Sequence, residues 1–184
     1  APAASPLEWT ILGYTRRDFA AAKAAAALPA EVVPAAAALT LPLILGPSGV
    51  PVPSTNYLDT VMNFYLRSSS TPPYAPPLPE LVFTPEGLYP ITGVKSLPLN
   101  TSVDQGLAIL SDALAKVTPG TPTTVFGYSQ SAIIGSLLQA GYIPSPAVNS
   151  DAAPTIPVGL RDYINFVFVG NEMNPNGGFL SRFP

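Results

Sequence analysis

Apolar residues in the back half of the chain follow the period of strands in some segments and that of helices in others. Short apolar runs predict buried strands at Leu43–Leu45, Thr123–Phe126 and Asp162–Val169. Apolar positions at helical spacing lie between these runs. They predict helices at Tyr57–Arg67, over Val103–Val117 and at Gln130–Ala140.

Residues at the ends of these segments set the expected boundaries. Thr101 or Ser102 is predicted to cap the second helix, and Gly120 follows its end. Pro42 cannot donate to a strand ladder, so the first strand is placed only from Leu43 onward. Val82–Thr84 and Leu88–Val94 are predicted as short extended pieces.

Alternation of strands and helices predicts an α/β fold, with a mainly parallel sheet covered by helices on both faces. Ligands bind at the carboxyl ends of the strands in such sheets. Three glycines, Gly46, Gly127 and Gly170, are expected along that edge because each lies at the end of a predicted strand.

The first 38 residues differ in composition from the rest. Residues 1–38 are rich in alanine and proline and are predicted to form an N-terminal arm, with a short helix at Arg17–Ala27. The most apolar stretch, Ala24–Leu45, contains three prolines and a glutamate, so no transmembrane segment is expected. Residues 39–184 are predicted to form one domain.

Composition excludes several functions. The net charge is −3, which offers no basic surface, so nucleic acid is not an expected partner. The 184 residues contain no cysteine and no histidine, which excludes disulfides and any metal site built on thiolate or imidazole. No carboxylate cluster replaces them, and neither a metal nor an organic cofactor is expected.

The segment from Gly127 to Ser131 carries the candidate chemistry. It joins a predicted strand to an apolar helix and holds Ser129 at its centre, which is the layout of a nucleophile elbow. The alternative is an ordinary strand-to-helix connection capped by Ser129. Its last position is a serine where the elbow motif usually has glycine.

A loop earlier in the chain supplies a candidate oxyanion hole. Backbone N–H groups after the nucleophile and in such a loop hold the oxyanion in this type of site. The predicted donors are therefore Gln130, Ser48 and Gly49, whereas Pro47 has no N–H to give. A plain glycine-proline turn at Gly46–Gly49 is the alternative.

Four ordered motifs together resemble the PE-PPE domain. They are Gly46–Gly49, Leu88–Leu97, Gly127–Ala132, and Val169–Asn171 with Asn174–Gly178. The resemblance covers about residues 39–184, and cutinases look like more distant relatives. It implies an α/β-hydrolase fold and a serine esterase that acts on acyl esters or lipid-like substrates. It also implies a secreted or cell-envelope location.

The chain departs from that family in its acid and its base. The acid and the histidine of the family lie beyond the stretch that matches Phe179–Pro184, so the hydrolase domain is expected to be truncated at its C-terminus. Only Ser129 carries over as a catalytic residue. Asp151 and Asp162 are interpreted as loop and surface carboxylates, and Glu172 is a further candidate acid.

Two functions follow. The first is a serine ester hydrolase domain that is incomplete here, since a serine nucleophile normally needs a base to take its proton. The second is a non-catalytic domain that binds or interacts at the cell envelope and keeps the hydrolase fold. The sequence specifies neither the acyl chain length nor the oligomeric state.

Overall fold

The computed structural model describes residues 10–11, 14–15, 40–66, 77–143, 153–174 and 176–178. Near the start of the chain, strands β1 (Thr10–Ile11) and β2 (Tyr14–Thr15) pair antiparallel. The predicted helix at Arg17–Ala27 lies outside the described residues. The remaining strands form the sheet that carries the candidate site.

Four strands make up this sheet. They are β3 (Leu41–Leu45), β4 (Glu80–Val82), β5 (Thr123–Tyr128) and β6 (Ile164–Val169). The spatial order is β4-β3-β5-β6, and every neighbouring pair is parallel. The predicted parallel arrangement of the three apolar runs is therefore confirmed, and the carboxyl ends of all four strands share one edge.

Helices cover both faces of the sheet. They are α1 (Thr55–Phe64), α2 (Leu99–Ala115) and α3 (Gln130–Gln139), with a 3₁₀ turn at Val158–Leu160. The Ser54 side chain caps α1 by accepting the Tyr57 N–H at 3.2 Å. No helix in the described segments is both long and apolar enough to cross a membrane.

Alternating side chains of the strands divide the core between the two faces. The larger cluster contains Leu43, Leu45 and Val125 together with the apolar residues of α2 and α3. On the opposite face, Ile44 and Phe126 pack against Val61 and Met62 of α1. This two-sided burial explains why β3 and β5 are continuous apolar runs rather than alternating ones.

Strand β3 is longer than predicted, because it includes Leu41 and Pro42. The Leu41 N–H donates to the Pro122 carbonyl at 2.8 Å, on the side of the strand where β5 lies. The next backbone nitrogen, that of Pro42, therefore points to the opposite side, towards β4. Strand β4 pairs with β3 only from Leu43 onward, so no hydrogen bond is lost because Pro42 has no N–H. Proline is tolerated here because no strand faces its nitrogen.

Two local predictions are wrong. Helix α2 begins at Leu99 after Pro98, so neither Thr101 nor Ser102 is its cap. Ser102 lies in the first turn and uses its hydroxyl for contacts with other segments. The piece Leu88–Val94 is not extended but turned, with the Thr92 N–H donating to the Leu88 carbonyl at 3.0 Å.

Candidate active site

Ser129 lies at the junction of β5 and α3, at the carboxyl edge of the sheet. Its φ of 58° and ψ of −121° are unusual for a residue with a side chain. The Ser129 N–H donates to the Val169 carbonyl at 2.9 Å, which attaches the turn to the end of β6. Gln130 is the first residue of α3, as predicted.

Gly127 and Ser131 make this sharp turn possible. A Cβ on Gly127 would lie 2.7 Å from the Ser131 carbonyl oxygen, so only glycine fits where the helix approaches the strand. The Ser131 hydroxyl accepts the Tyr128 N–H at 2.8 Å and donates to the Tyr128 carbonyl at 3.1 Å. Serine at the fifth position of the motif therefore closes the turn with hydrogen bonds.

The loop after β3 is bonded to the start of α3. The Ser48 hydroxyl donates to Gln130 Oε1 at 3.1 Å, which brings this loop beside the serine turn. The Gly49 N–H donates to the Glu86 carbonyl at 2.7 Å. The three residues predicted as oxyanion donors thus lie in two segments that contact each other.

A ring of hydrogen bonds extends this contact. Gln130, which is 1% exposed, donates through Nε2 to Ser102 Oγ at 2.6 Å. The same hydroxyl accepts the Gly87 N–H at 2.7 Å. Because Glu86 precedes Gly87 and binds Gly49, the ring closes on the loop that holds Ser48. It fixes the loop against the helix that follows Ser129.

The sequence did not identify Ser102 or Gly87 as part of the site. They approach Gln130 only through the fold, because Ser102 looks like a helix cap in the sequence and Gly87 like an ordinary loop residue. The Gln130 side chain was also missed, since the nucleophile elbow assigns a role only to its backbone N–H.

Glu172 contacts the candidate nucleophile directly. The Ser129 hydroxyl donates to Glu172 Oε1 at 3.2 Å. Burial raises the pKa of the Glu172 carboxyl above 4.5, and hydrogen bonds from its own backbone and from Ser129 partly offset that shift. Asp162 is exposed, in agreement with its interpretation as a surface carboxylate, and Asp151 lies outside the described residues.

Glu86 is a second acid close to this loop, and no pattern in the sequence indicated it. It is fully buried and has a φ of 50°. Burial raises its pKa to about 7, although a hydrogen bond from the Thr84 hydroxyl lowers it. Its Oε2 has no hydrogen-bond partner within the described segments.

Tyr57 lies close to this acid. Its hydroxyl donates to the Leu45 carbonyl at 2.9 Å, at the end of β3. Burial, followed by the charge of Glu86, raises the pKa of the Tyr57 phenol far above its usual value. The phenol therefore stays protonated and serves as a fixed donor beside the loop.

Among the residues that the structure describes, no group of three or more carboxylates could hold a metal ion. The chemistry available at this edge of the sheet therefore consists of hydroxyl groups, backbone N–H groups and two carboxyl groups with raised pKa values.

The parallel sheet and its helices define an α/β protein, with Ser129 in an unusual backbone conformation between β5 and α3. A profile of the family described as PE-PPE domain matches residues 75–184. The chain belongs to this family, and the resemblance drawn from its four motifs is confirmed. No solved structure matches the chain significantly.

Three relatives come from Mycobacterium tuberculosis. The uncharacterized PPE family protein PPE28 is 42% identical over 82% of this chain and 21% of its own length. Esterase PE16 is 35% identical over 77% of this chain and 25% of its own length. The PE family protein PE3 is 31% identical over 77% of this chain and 27% of its own length. The chain thus spans about a quarter of these relatives.

Proposed function

We propose that this chain carries the nucleophile and oxyanion hole of a serine ester hydrolase, with Ser129 as the nucleophile. The observation that carries this proposal is the backbone of Ser129, with φ 58° and ψ −121° at a strand-to-helix turn. Holding a residue with a side chain in such a conformation costs about 1–3 kcal/mol, and conformations of this kind cluster at active sites. Similarity to a relative named as an esterase supports the same activity.

The oxyanion of the tetrahedral intermediate would be held by the backbone N–H groups of Gln130 and Ser48. The first N–H groups of a helix have no acceptor within the helix, so that of Gln130 is available to a ligand. Gly49 is the weaker candidate of the two loop residues, because its N–H already donates to the Glu86 carbonyl. The hydrogen bond between the side chains of Ser48 and Gln130 brings the two proposed donor residues next to each other, which supports this assignment.

The proposed substrates are acyl esters with an apolar acyl chain. Val50 and Val52, which follow the Ser48–Gly49 pair, are 37% and 69% exposed. A Cβ added to Gly49 would lie 3.2 Å from Thr92 Cγ2, so the turn that contains Thr92 borders the loop that contains Gly49. Ile91 and Val94 in that turn are about four-fifths exposed. Apolar side chains around the loop suit a lipid-like substrate.

We also propose the remaining features that the sequence suggested. Residues 1–38 form an arm and residues 39–184 the hydrolase-like domain. The protein is secreted or lies in the cell envelope, in keeping with only 10% charged residues and with its PE and PPE relatives. The absence of histidine from all 184 residues favours a second candidate function, a non-catalytic binding domain of the cell envelope.

Chemical rescue distinguishes these two functions. Free imidazole added to the 184-residue chain should raise hydrolysis of p-nitrophenyl butyrate, because it can accept the Ser129 proton. A positioned general base contributes about 10²–10⁴-fold, and a diffusing one should recover a part of that. The gain should disappear in Ser129→Ala and persist in Ser111→Ala, whose hydroxyl contacts Thr155 instead.

Imidazole also hydrolyses activated esters by itself, so the informative quantity is the difference between the wild-type chain and Ser129→Ala. If that difference stays at zero as imidazole increases, the hydrolase proposal fails and the binding domain is favoured. In a longer chain, a histidine from a downstream segment would take the place of the added imidazole.

A further inference from the structure

The Gln130 side chain is buried at the start of α3, and both ends of its amide are hydrogen bonded. Gln130 is 1% exposed. Its Oε1 accepts the Ser48 hydroxyl at 3.1 Å, and its Nε2 donates to Ser102 Oγ at 2.6 Å. Burying an amide is costly unless its donor and acceptor groups are satisfied. The side chain therefore joins two specific partners to the residue that follows Ser129.

The end of this amide that contacts Ser102 is firmly anchored. Ser102 is 0% exposed and lies in the first turn of α2, where its hydroxyl also accepts the Gly87 N–H at 2.7 Å. Gly87 is itself closely packed, since an added Cβ would lie 2.9 Å from the backbone nitrogen and oxygen of Leu97. Because Nε2 and Oε1 belong to one rigid amide group, fixing Nε2 also fixes the direction of Oε1.

Ser48, at the other end of the amide, lies in a short turn. The turn is closed by the Val50 N–H, which donates to the Pro47 carbonyl at 3.0 Å. Within the described segments, this turn is hydrogen bonded to α3 through the Ser48 hydroxyl. The anchored Gln130 amide therefore sets the position of Ser48 relative to Ser129.

We infer that the Gln130 side chain is a positioning residue for the oxyanion hole. It holds Ser48 where the Ser48 backbone N–H can bind the oxyanion, while the backbone N–H of Gln130 supplies the other donor. The inference rests on the proposed function, since it needs Ser129 to be the nucleophile. Donors stabilise the developing charge best when they are in place before the reaction. The Ser48 hydroxyl already donates to Gln130, so it aligns the loop and is not a third donor to the oxyanion.

Covalent labelling of Ser129 in the 184-residue chain tests this inference. A short alkyl fluorophosphonate forms an Oγ–P bond as fluoride leaves and added imidazole takes the serine proton, and intact-protein mass spectrometry follows the adduct. Gln130→Met keeps the backbone N–H and the length of the side chain but removes both hydrogen bonds. The maximal labelling rate should fall about 10²-fold, as for loss of one oxyanion donor. The reagent concentration that gives half the maximal rate should change little, because the charge develops only in the transition state.

Ser48→Ala tests the same bond from its other end, at a half-buried residue whose replacement leaves the core intact. It should slow labelling by a factor similar to that of Gln130→Met. The double variant should be no slower than Gln130→Met alone, because the two side chains act through one hydrogen bond. Losses that multiply in the double variant would show that Ser48 acts independently of Gln130, which would overturn the inference.

Thr123→Val is the matched control for a general loss of stability. Thr123 is 0% exposed, and its hydroxyl donates to the Thr121 carbonyl at 2.9 Å at the opposite end of β5 from Ser129. This variant should unfold at a lower urea concentration than wild type and still label at the wild-type rate. Backbone amide hydrogen exchange of the peptide that contains Ser48 should become faster in Gln130→Met and Ser48→Ala but not in Thr123→Val.

The outcomes separate this inference from the proposed function. If Gln130→Met labels as fast as wild type, the positioning role is overturned and Ser129 remains the nucleophile. Slower labelling without faster exchange at Ser48 overturns it as well. If Ser129 of the wild-type chain does not react even with imidazole, both proposals fail. Should Gln130→Met not fold, the labelling rate and exchange of Ser48→Ala decide.

Discussion

Replacing Glu86 with glutamine is expected to remove a large pH dependence of the free energy of unfolding. The pKa of Glu86 is about 7 in the folded protein against 4.5 in the unfolded chain. The folded state therefore binds this proton more tightly, and the stability it contributes is full below about pH 4.5 and lost as the pH rises through about 7. A shift of this size corresponds to roughly 3 kcal/mol.

Urea unfolding at about pH 4.5 and about pH 8.5 measures this effect. Wild type should lose stability over that range relative to Glu86→Gln, and the variant should be the more stable protein at the higher pH. Glu80→Gln, at an exposed glutamate, should follow wild type. If the free energy of unfolding changes equally with pH in wild type and in Glu86→Gln, the buried carboxyl is not the cause of the pH dependence.

Replacing Gly127 with alanine is expected to damage both stability and the candidate site. The new Cβ would lie 2.7 Å from the Ser131 carbonyl oxygen and 2.9 Å from the Ala132 nitrogen. Both are backbone atoms of the first turn of α3, so the helix itself must move. The free energy of unfolding should fall by about 1–3 kcal/mol. A displacement of Ser129 by about 1 Å would cost on the order of 10²-fold in reaction rate.

Gly177→Ala is the matched control, because a Cβ at Gly177 meets nothing within 4 Å. That variant should lie within about 0.5 kcal/mol of wild type. Thermal unfolding of both variants gives the comparison, together with their fluorophosphonate labelling rates. Equal stability of the two alanine variants would contradict the close approach of helix and strand at Gly127.

The parts of the fold that depend on local sequence were predictable. The strand at Thr123–Phe126, the glycine and serine of the turn, and the apolar helix after Gln130 occupy one continuous segment. Each obeys a local rule of periodicity or turn chemistry. The structure extends this strand only to Tyr128 and begins the helix at Gln130, as predicted.

The parts that the sequence missed depend on contacts between distant residues. The bond from Ser48 to Gln130 joins positions 82 residues apart, and that from Gln130 to Ser102 joins positions 28 apart. Ser102 looks like a helix cap in sequence but has a tertiary partner instead. In the sequence, Glu86 looks like a surface acid. Its burial becomes visible only in the folded chain, where the loop that contains Gly49 is bonded to it.

Locating the acyl group on the protein tests the central claim most directly, because that claim is that Ser129 is the nucleophile. The 184-residue chain is treated briefly with p-nitrophenyl butyrate and imidazole, quenched with acid and mapped by tandem mass spectrometry. The butyryl group is predicted on Ser129 and should be absent from Ser129→Ala. A butyryl group on Ser131 or Ser48, or equal acylation of Ser129→Ala, would contradict the assignment.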